Sequence, residues 1–410
     1  MRKFRITSAE LTPELFFVLL YISITFTVFV IVPILSRFLD LDVFIYPWGI
    51  ESGALWINAL SCALAMLAIK KFSGINERYK IEEKEQKYIF EEYLLIFLWI
   101  TLFVYFGGTS YREVEIAGGY RSFQLYLILG FLPVMTILAI KFLFFSQRRL
   151  LTVPVALLFL FVFAQTGGRG MLLQIAMVFL FFSISNAKKS LILKRFFLRT
   201  TFYSGVLKVS LGIFILLLLL GFWGLLRDDS SDFTYGLIWR LSEPYWSIAH
   251  QKNIGFCDFE MVSDSFKRLT WSILRFDVFN VGGLIEGNTY YLELLGIDKM
   301  PGISLPITII GQGYLMCGNY GAIFAVPISV LMIFFGIKLC FMLASYLPEA
   351  WRLSFKIYFL SKVVLFHAKS FSGLSSYLYY ETIRDWIIIV AFLFMCKALR
   401  SLFKFQGSHV

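Results

Sequence analysis

Residues 150–186 read LLTVPVALLFLFVFAQTGGRGMLLQIAMVFLFFSISN. Two apolar runs of helix-spanning length, 150–166 and 170–186, are separated only by two glycines and Arg169. About 20 apolar residues are enough for an α-helix to cross the hydrocarbon core of a bilayer, and glycine lets the backbone turn tightly. The stretch therefore predicts a helical hairpin in a membrane, with Arg169 at its tip.

The rest of the chain extends this pattern. Of its 410 residues, 59% are hydrophobic, and the mean hydropathy is +0.75, as is typical of an all-α polytopic membrane protein and not of a soluble domain. We expect one integral membrane domain over 1–410, with about ten transmembrane helices. The first apolar run lacks a small-residue cleavage site, so we expect it to remain as an uncleaved span. The predicted spans are 15–35, 52–69, 93–107, 123–145, 150–166, 170–186, 206–226, 307–345, 355–371 and 386–399.

The run at 307–345 is too long for one span of about 20 residues. Its first part, ITIIGQGYLMCGNYGAIF, is rich in glycine. We expect this part to be irregular or re-entrant, with the true span near 321–343.

Basic residues indicate the orientation of the spans. Lys and Arg accumulate in cytoplasmic loops, and most of the 38 basic residues fall on one side if the N-terminus is inside. An even number of spans returns the basic C-terminal tail to that side. The net charge of +11 is then explained by topology, and we expect no nucleic-acid partner.

The cysteines and histidines indicate no metal chemistry. The five cysteines show no paired spacing, so we expect neither a disulfide framework nor a zinc site. No phosphate-binding glycine loop or nucleophile elbow is visible. We therefore expect no metal and no other cofactor.

One outer connection, 227–305, is much longer than the others and mixes aromatic with charged residues, which favours helices lying in the membrane interface. Within it, 264–280 predicts a helix with Arg268 and Arg275 on one face, roughly 10 Å apart. That spacing suits a lipid pyrophosphate, because a guanidinium binds phosphate through two parallel hydrogen bonds. The alternative is a helix-surface ion pair between Arg268 and Asp264, with contacts to anionic lipid.

Other outer segments add candidates for an anionic, lipid-borne substrate. Asp277 is a carboxylate that can orient an arginine or act as a base, although Arg227 can equally be an interfacial anchor and His250 a structural residue. The outer segments 107–123 and 367–386 look like solvated loops, yet both carry basic residues beside Gly, Tyr or carboxylates. The further residues of interest are Arg121, Arg240, His367, Lys369, Glu381 and Arg384.

Four features resemble the O-antigen polymerases, the Wzy-type oligosaccharide repeat unit polymerases. They are TGGRG in a tight outer hairpin, the single large outer loop, LRFDVFNVGGLIEGNTYY within that loop, and ISLPITIIGQGYLMCGNYGAIF. The last is similar to the family's Pro, then Gly-Glu-x-Tyr, then a Gly-x-x-Gly start of the next span. Two departures stand out: Gln312 precedes Gly313 where many members have a glutamate, and Met300-Pro301-Gly302 replaces a common Pro-Arg pair.

The resemblance implies a C-type glycosyltransferase-like bundle in the bacterial inner membrane, with one large periplasmic loop and both termini cytoplasmic. It implies transfer of a growing glycan from undecaprenyl pyrophosphate to a fresh lipid-linked repeat unit, among membrane lipids and beside a chain-length regulator. Arg169 and Arg275 would be catalytic ligands of the pyrophosphate, and Asp277 the acid/base group. The substrate-binding candidates are Arg227, Arg240, Arg268, Arg121, Tyr314 and His250.

Three other functions remain as alternatives. An O-antigen ligase, which transfers glycan to lipid A core, shares the hairpin arginine and the large loop but is expected to need a loop histidine. A lipid-linked oligosaccharide flippase is a transporter and is expected to have more spans, a two-fold repeat and charges within the spans. In this sequence the charged residues are instead concentrated on one predicted face of the membrane. A membrane scaffold or sensor of an unknown ligand is the least specific alternative.

Overall fold

The structure, a computed structural model, describes residues 13–38, 52–72, 89–105, 133–141, 308–364 and 371–406, with a few residues at 174, 177–178, 262–263, 266–267 and 270. These residues form helices and short turns and no strand, which confirms the all-α part of the predicted fold class. The helices are α1 (Pro13–Phe26), the π-helix π1 (Thr27–Ile31), α2 (Val32–Phe38), α3 (Ser52–Phe72), α4 (Ile89–Tyr105), α5 (Ile309–Ser345), α6 (Glu349–Val363), α7 (Phe371–Ser375), the π-helix π2 (Ser376–Glu381) and α8 (Thr382–Gln406).

Two of the described helices are long and apolar enough to cross a membrane, Glu14–Phe38 and Met316–Ser345. Gly53–Ile69 is a shorter apolar helix. All three lie where the hydropathy of the sequence predicts spans. The predicted spans at 150–166 and 206–226 lie outside the described residues, as do both ends of the chain, so the total of about ten spans and the side of each terminus stay predictions.

Large apolar side chains are exposed on several of the described helices. Trp56 on α3 is 78% exposed, Phe335 on α5 is 60% exposed and Phe394 on α8 is 71% exposed. A soluble monomer seldom exposes so much apolar surface. These faces suit contact with lipid chains.

Helix α5 is broken near its beginning. Cys317 (φ −146°, ψ 34°) and Gly318 (φ 53°, ψ −140°) leave the helical conformation, and Gly318 occupies a region that glycine adopts because it has no Cβ. The break brings the backbones of Gly313 and Gly321 together: a Cβ on Gly313 would lie 2.5 Å from the carbonyl oxygen of Gly321. The prediction of an irregular start to this segment is confirmed.

Helices α5 and α8 run in the same direction, and α6 runs in the opposite direction. The Trp351 ring, near the start of α6, lies 5.6 Å from that of Phe392, whereas Lys362 near the end of α6 reaches Asp385, two turns earlier on α8. Helices α6 and α8 are therefore antiparallel.

Helices α5 and α8 are parallel, as two hydrogen bonds show. Near the beginning of α5, the side-chain oxygen of Gln312 accepts from the backbone N–H of Phe371 at 2.7 Å. Near its end, the indole N–H of Trp386 donates to the carbonyl oxygen of Leu343 at 2.9 Å. The segment 371–386 thus runs beside α5 in the same direction.

This course corrects one prediction. The sequence predicts a solvated outer turn over 367–386, but 371–406 is helical throughout the residues described. Glu381 and Arg384 therefore lie within a helix, and the carboxylate of Glu381 pairs both with Arg384 and with Lys362 of the neighbouring helix α6.

Helices α1, α3 and α5 are joined by polar contacts in an otherwise apolar core. Interhelical hydrogen bonds of this kind fix the register of helices whose apolar surfaces alone do not specify it. The bonds run from the Tyr21 hydroxyl to Ser329 Oγ (2.9 Å), from the Val326 N–H to Ser61 Oγ (3.2 Å), and from Asn58 Nδ2 to the carbonyl of Phe29 in π1 (3.3 Å).

Candidate functional site

Among the residues predicted to bind or transform a substrate, the structure describes Tyr314. Its side chain is 2% exposed and belongs to the hydrophobic core just before the break in α5. The other predicted residues lie outside the described part of the chain, and their roles stay predictions. They are Arg169, Arg275, Asp277, Arg227, Arg240, Arg268, Arg121 and His250.

The helix predicted at 264–280 is described at three residues. Phe266, Lys267 and Thr270 are helical, and the Thr270 hydroxyl donates to the carbonyl of Phe266, four residues earlier, at 3.0 Å. At these positions the prediction is confirmed.

The described residues bring a group of charges together inside the bundle, between α6 and the π2–α8 segment. We call Tyr358, Lys362, Glu381, Arg384 and Asp385 the charge cluster. The sequence pattern indicates Glu381 and Arg384 as candidates but not the other three, because a one-dimensional pattern does not show which helices face each other. The i, i+4 spacings of Tyr358 with Lys362 and of Glu381 with Asp385 are the signal that was present, since such residues share a helix face.

Asp385 is the centre of the charge cluster and is fully buried. Its Oδ2 accepts from the Tyr358 hydroxyl at 2.8 Å and from Lys362 Nζ at 3.0 Å. Its Oδ1 accepts from Nε and Nη2 of Arg384 at 3.1 and 2.8 Å. Four donors fill the acceptor capacity of a carboxylate, so Asp385 is wholly engaged in holding α6 against α8.

Lys362 connects both carboxylates of the cluster. Its Nζ lies 3.0 Å from Oε2 of Glu381 and 3.0 Å from Oδ2 of Asp385. It also lies 5.3 and 5.4 Å from the ring centroids of Tyr358 and Tyr377, where the negative face of each ring attracts a cation. Lys362 therefore ties the end of α6 to both π2 and α8.

The charge cluster has one open edge. The Arg384 side chain is 33% exposed and that of Glu381 17%, against 0% for Asp385. Nη2 of Arg384 lies 3.6 Å from Oε2 of Glu381. Within the described part of the chain, Nη1 of Arg384 and Oε1 of Glu381 have no hydrogen-bond partner. Two N–H donors and one carboxylate oxygen thus remain at this edge.

A π-helix lies directly before the cluster. The wider turn of π2 leaves the carbonyl of Tyr377 to accept from the Thr382 hydroxyl, five residues later, at 3.0 Å. Short π-helical turns within α-helices are frequent at functional sites. The local backbone and the charges therefore mark the same place.

A second buried ion pair lies elsewhere in the bundle. Lys141 Nζ donates to both carboxylate oxygens of Glu92 at 2.6 Å, and the indole N–H of Trp351 donates to Oε1 at 3.0 Å. Both charged side chains are only 2% exposed. Because this pair has no open edge, it can join three helical segments but offers nothing to a ligand.

The described cysteines are of two kinds. Cys317, at the break in α5, is disulfide-bonded, whereas Cys62, Cys340 and Cys396 are buried free thiols; Cys257 lies outside the described residues. The sequence predicts no disulfide framework, and spacing along the chain does not reveal the single bond at Cys317, because spacing detects only local pairs. Over the residues described, no three His, Cys, Asp or Glu side chains are grouped so as to hold a metal ion.

Comparison with known proteins assigns no family. No protein-family model matches the chain, and neither does any curated protein or solved structure. A function for this chain rests on its own motifs and on the geometry described above.

Proposed function

We propose that this chain is a membrane glycosyltransferase of the bacterial inner membrane. It would polymerise undecaprenyl-pyrophosphate-linked oligosaccharide repeat units into O-antigen polysaccharide at the periplasmic face. Both termini would be cytoplasmic, and 227–305 would form the large periplasmic loop.

The observation that carries this proposal is the broken start of α5. The segment is one of the four features that resemble the O-antigen polymerases, and Gly318 and Gly321 are its Gly-x-x-Gly. Gly318 has the positive φ that turns the chain, and Gly321 makes the close backbone contact with Gly313. The backbone geometry therefore requires glycine at both positions of the motif. This supports the resemblance more strongly than amino-acid composition alone.

In the proposed reaction, an acceptor sugar hydroxyl attacks the anomeric carbon of the donor glycan. The bond from that carbon to the pyrophosphate oxygen breaks, the hydroxyl proton passes to a base, and undecaprenyl pyrophosphate leaves. Arg169 and Arg275 would stabilise the charge on the leaving pyrophosphate through bidentate hydrogen bonds. Asp277 is the proposed base.

Gln312 supports the choice of a carboxylate outside α5. It occupies the position where the resemblance would place a glutamate, and its side-chain oxygen accepts from the N–H of Phe371. Gln312 therefore holds the start of α7 against α5 and has no acid/base function of its own.

One observation favours a flippase as the second candidate. A transporter is expected to carry charges within its helices, and the described helices bury Glu92, Lys141 and Asp385 and nearly bury Lys362, whose side chain is 12% exposed. Each of these charges is paired and hydrogen-bonded, as a purely structural buried charge must also be. The polymerase therefore stays the first proposal, and the experiment below separates the two.

The test is a lipopolysaccharide gel of the host strain lacking this chain, beside the complemented strain. A core that carries a single repeat unit is the expected result, because export and ligation persist while elongation is lost. A bare core would instead indicate a flippase or a ligase and would refute the polymerase. His250→Ala with unchanged glycan would count against the ligase.

Complementation with Arg169→Lys tests the proposed pyrophosphate ligand. We expect it to lose most of the polymer, because an ammonium is a point charge and cannot replace the planar fork of the guanidinium. Arg400→Lys, at a position 42% exposed on α8, is the matched control and should keep full polymer length. Full-length polymer from Arg169→Lys would exclude the role of Arg169.

A further inference from the structure

We infer that Cys257 is the partner of Cys317 in its disulfide, so that a covalent bond joins the long connection 227–305 to the break in α5. The inference goes beyond the proposed function, because it holds whichever reaction the chain performs. It assigns an oxidative modification that ties the predicted outer loop to the membrane bundle.

The assignment follows from the cysteines of the chain. The sequence has five, at 62, 257, 317, 340 and 396. Cys317 is disulfide-bonded, whereas Cys62, Cys340 and Cys396 are free thiols. A disulfide needs a second cysteine, and Cys257 is the one cysteine of the sequence that remains.

The exposure of the described cysteines agrees with this assignment. Cys62 is 3% exposed, and Cys340 and Cys396 are 0% exposed, so these thiols are closed off from other segments of the chain. Cys317 is only partly buried. Gly321, one turn later, leaves room for its side chain, because a Cβ on Gly321 would lie 3.1 Å from the Cβ of Cys317. The break in α5 thus makes Cys317 accessible to a partner thiol from outside the helix.

The bonded and the free cysteines also lie where two redox compartments would place them. Disulfides form and persist in the oxidising periplasm and are rare in the reducing cytoplasm. Cys317 lies near the beginning of α5, which the predicted topology places at the outer side. Cys340 lies roughly 30 Å further along the same helix at a rise of about 1.5 Å per residue, and it is free. The inferred bond therefore supports the predicted orientation by an argument that does not depend on the distribution of basic residues.

Formation of the bond is a two-electron oxidation. The thiols of Cys257 and Cys317 lose two protons and two electrons, and an S–S bond forms between their sulfur atoms. The electrons and protons pass to the disulfide of a periplasmic thiol–disulfide oxidoreductase, which becomes a dithiol, by thiolate attack through a mixed disulfide.

The bond closes a ring of the chain that contains Arg268, Arg275 and Asp277. A cross-link brings the two ends of a segment together and so reduces the number of conformations open to it. The segment proposed to bind pyrophosphate and to supply the base would therefore be tethered at the break in α5.

The test is a disulfide map of the purified full-length protein. The protein is denatured in the presence of N-ethylmaleimide, which blocks free thiols before they can exchange, and is then digested with trypsin and analysed by mass spectrometry. Trypsin cuts after basic residues between the two cysteines, so Cys257 falls in the peptide 253–267 and Cys317 in the peptide 300–338. We expect these two peptides to be joined in the unreduced sample and to separate on reduction, while the other three cysteines carry maleimide.

Two results of the map would overturn the inference. One is maleimide on Cys257 or Cys317 in the unreduced wild type, and the other is a dimer of the chain joined through Cys317. The map does not involve the glycan, so its failure is distinguishable from failure of the proposed function, which the lipopolysaccharide gel reports.

Thermal unfolding of cysteine variants gives a second measurement. We expect a reductant to lower the unfolding temperature of the wild type by roughly 5–10 °C, because a native disulfide restricts the unfolded chain. Cys257→Ser and Cys317→Ser should each unfold at the lower temperature with or without reductant. Cys396→Ala, the matched control, removes a free thiol and should keep the response to reductant. A Cys257→Ser protein that responds to reductant as the wild type does would overturn the bond, and if neither serine variant folds, the map of the wild type still decides.

Discussion

The contact between Gly313 and Gly321 leads to a quantitative prediction. In Gly313→Ala the new Cβ would lie 2.5 Å from the carbonyl oxygen of Gly321, 2.8 Å from its carbonyl carbon and 3.0 Å from the backbone nitrogen of Ala322. All three atoms belong to the backbone, so no change of rotamer relieves the clash. Forcing extra atoms into a packed site costs typically about 1–3 kcal/mol, and we expect Gly313→Ala near the upper end, about 3 kcal/mol.

Gly53→Ala is the matched control. A Cβ at Gly53, in the first turn of α3, has nothing within 4 Å, and alanine is favoured over glycine in a helix by up to about 1 kcal/mol. The same substitution is thus expected to act in opposite directions at the two sites. Gly321→Ala, whose Cβ would meet the backbone of Gly313, should be at least as destabilising as Gly313→Ala.

The assay is thermal unfolding of the purified protein, followed by tryptophan fluorescence. A loss of about 3 kcal/mol corresponds to a fall of roughly 6 °C or more for a large domain, whereas Gly53→Ala should unfold at or slightly above the wild-type temperature. If Gly313→Ala and Gly321→Ala unfold together with Gly53→Ala, the two backbones are not in contact. The account of the break in α5, and the main support for the proposed function, would then be refuted.

Two further predictions use the same unfolding assay. Glu92→Gln leaves the Lys141 ammonium buried without a carboxylate and is expected to lower the free energy of unfolding by about 3–5 kcal/mol. The double variant Glu92→Leu/Lys141→Met removes both charges and should recover most of that stability. A double variant as unstable as the single one would contradict the pairing. Gln312→Leu removes the acceptor of the Phe371 N–H and should lower the free energy of unfolding by about 1–3 kcal/mol. Gln312→Glu keeps an acceptor there and should be close to the wild type in stability. Equal losses of stability in both variants would show that this hydrogen bond does not matter.

The positions of the apolar helices near the N-terminus, in α3 and in α5 could be predicted from hydropathy, because lipid-facing and core-facing residues of a membrane helix are both apolar and these runs are uninterrupted. The irregular start of α5 could be predicted for a related reason. Glycines are concentrated there, and only glycine combines a positive φ with close backbone approach. Both are local properties of the chain.

The pairing of charges could not be predicted, because it depends on which helices are neighbours. Glu381, Arg384 and Asp385 looked like the polar residues of a solvated turn. Lys362, about 20 residues earlier along the chain, pairs with Glu381 and Asp385. These charges can therefore lie inside a helix bundle, since a paired charge is far less costly to bury than a lone one. Lys141 and Glu92 show the same effect across 49 positions.

The formal charges of the two buried groups sum to zero, which has an electrical consequence if these helices span an energised membrane. Moving one elementary charge across a potential of 100 mV changes its energy by about 2.3 kcal/mol. Glu92 with Lys141, and the charge cluster as a whole, would experience no net force from that field, so a shift of either group with its helices carries no gating charge. Neutralising one partner, as in Glu92→Gln, would make the packing of the bundle respond to membrane voltage.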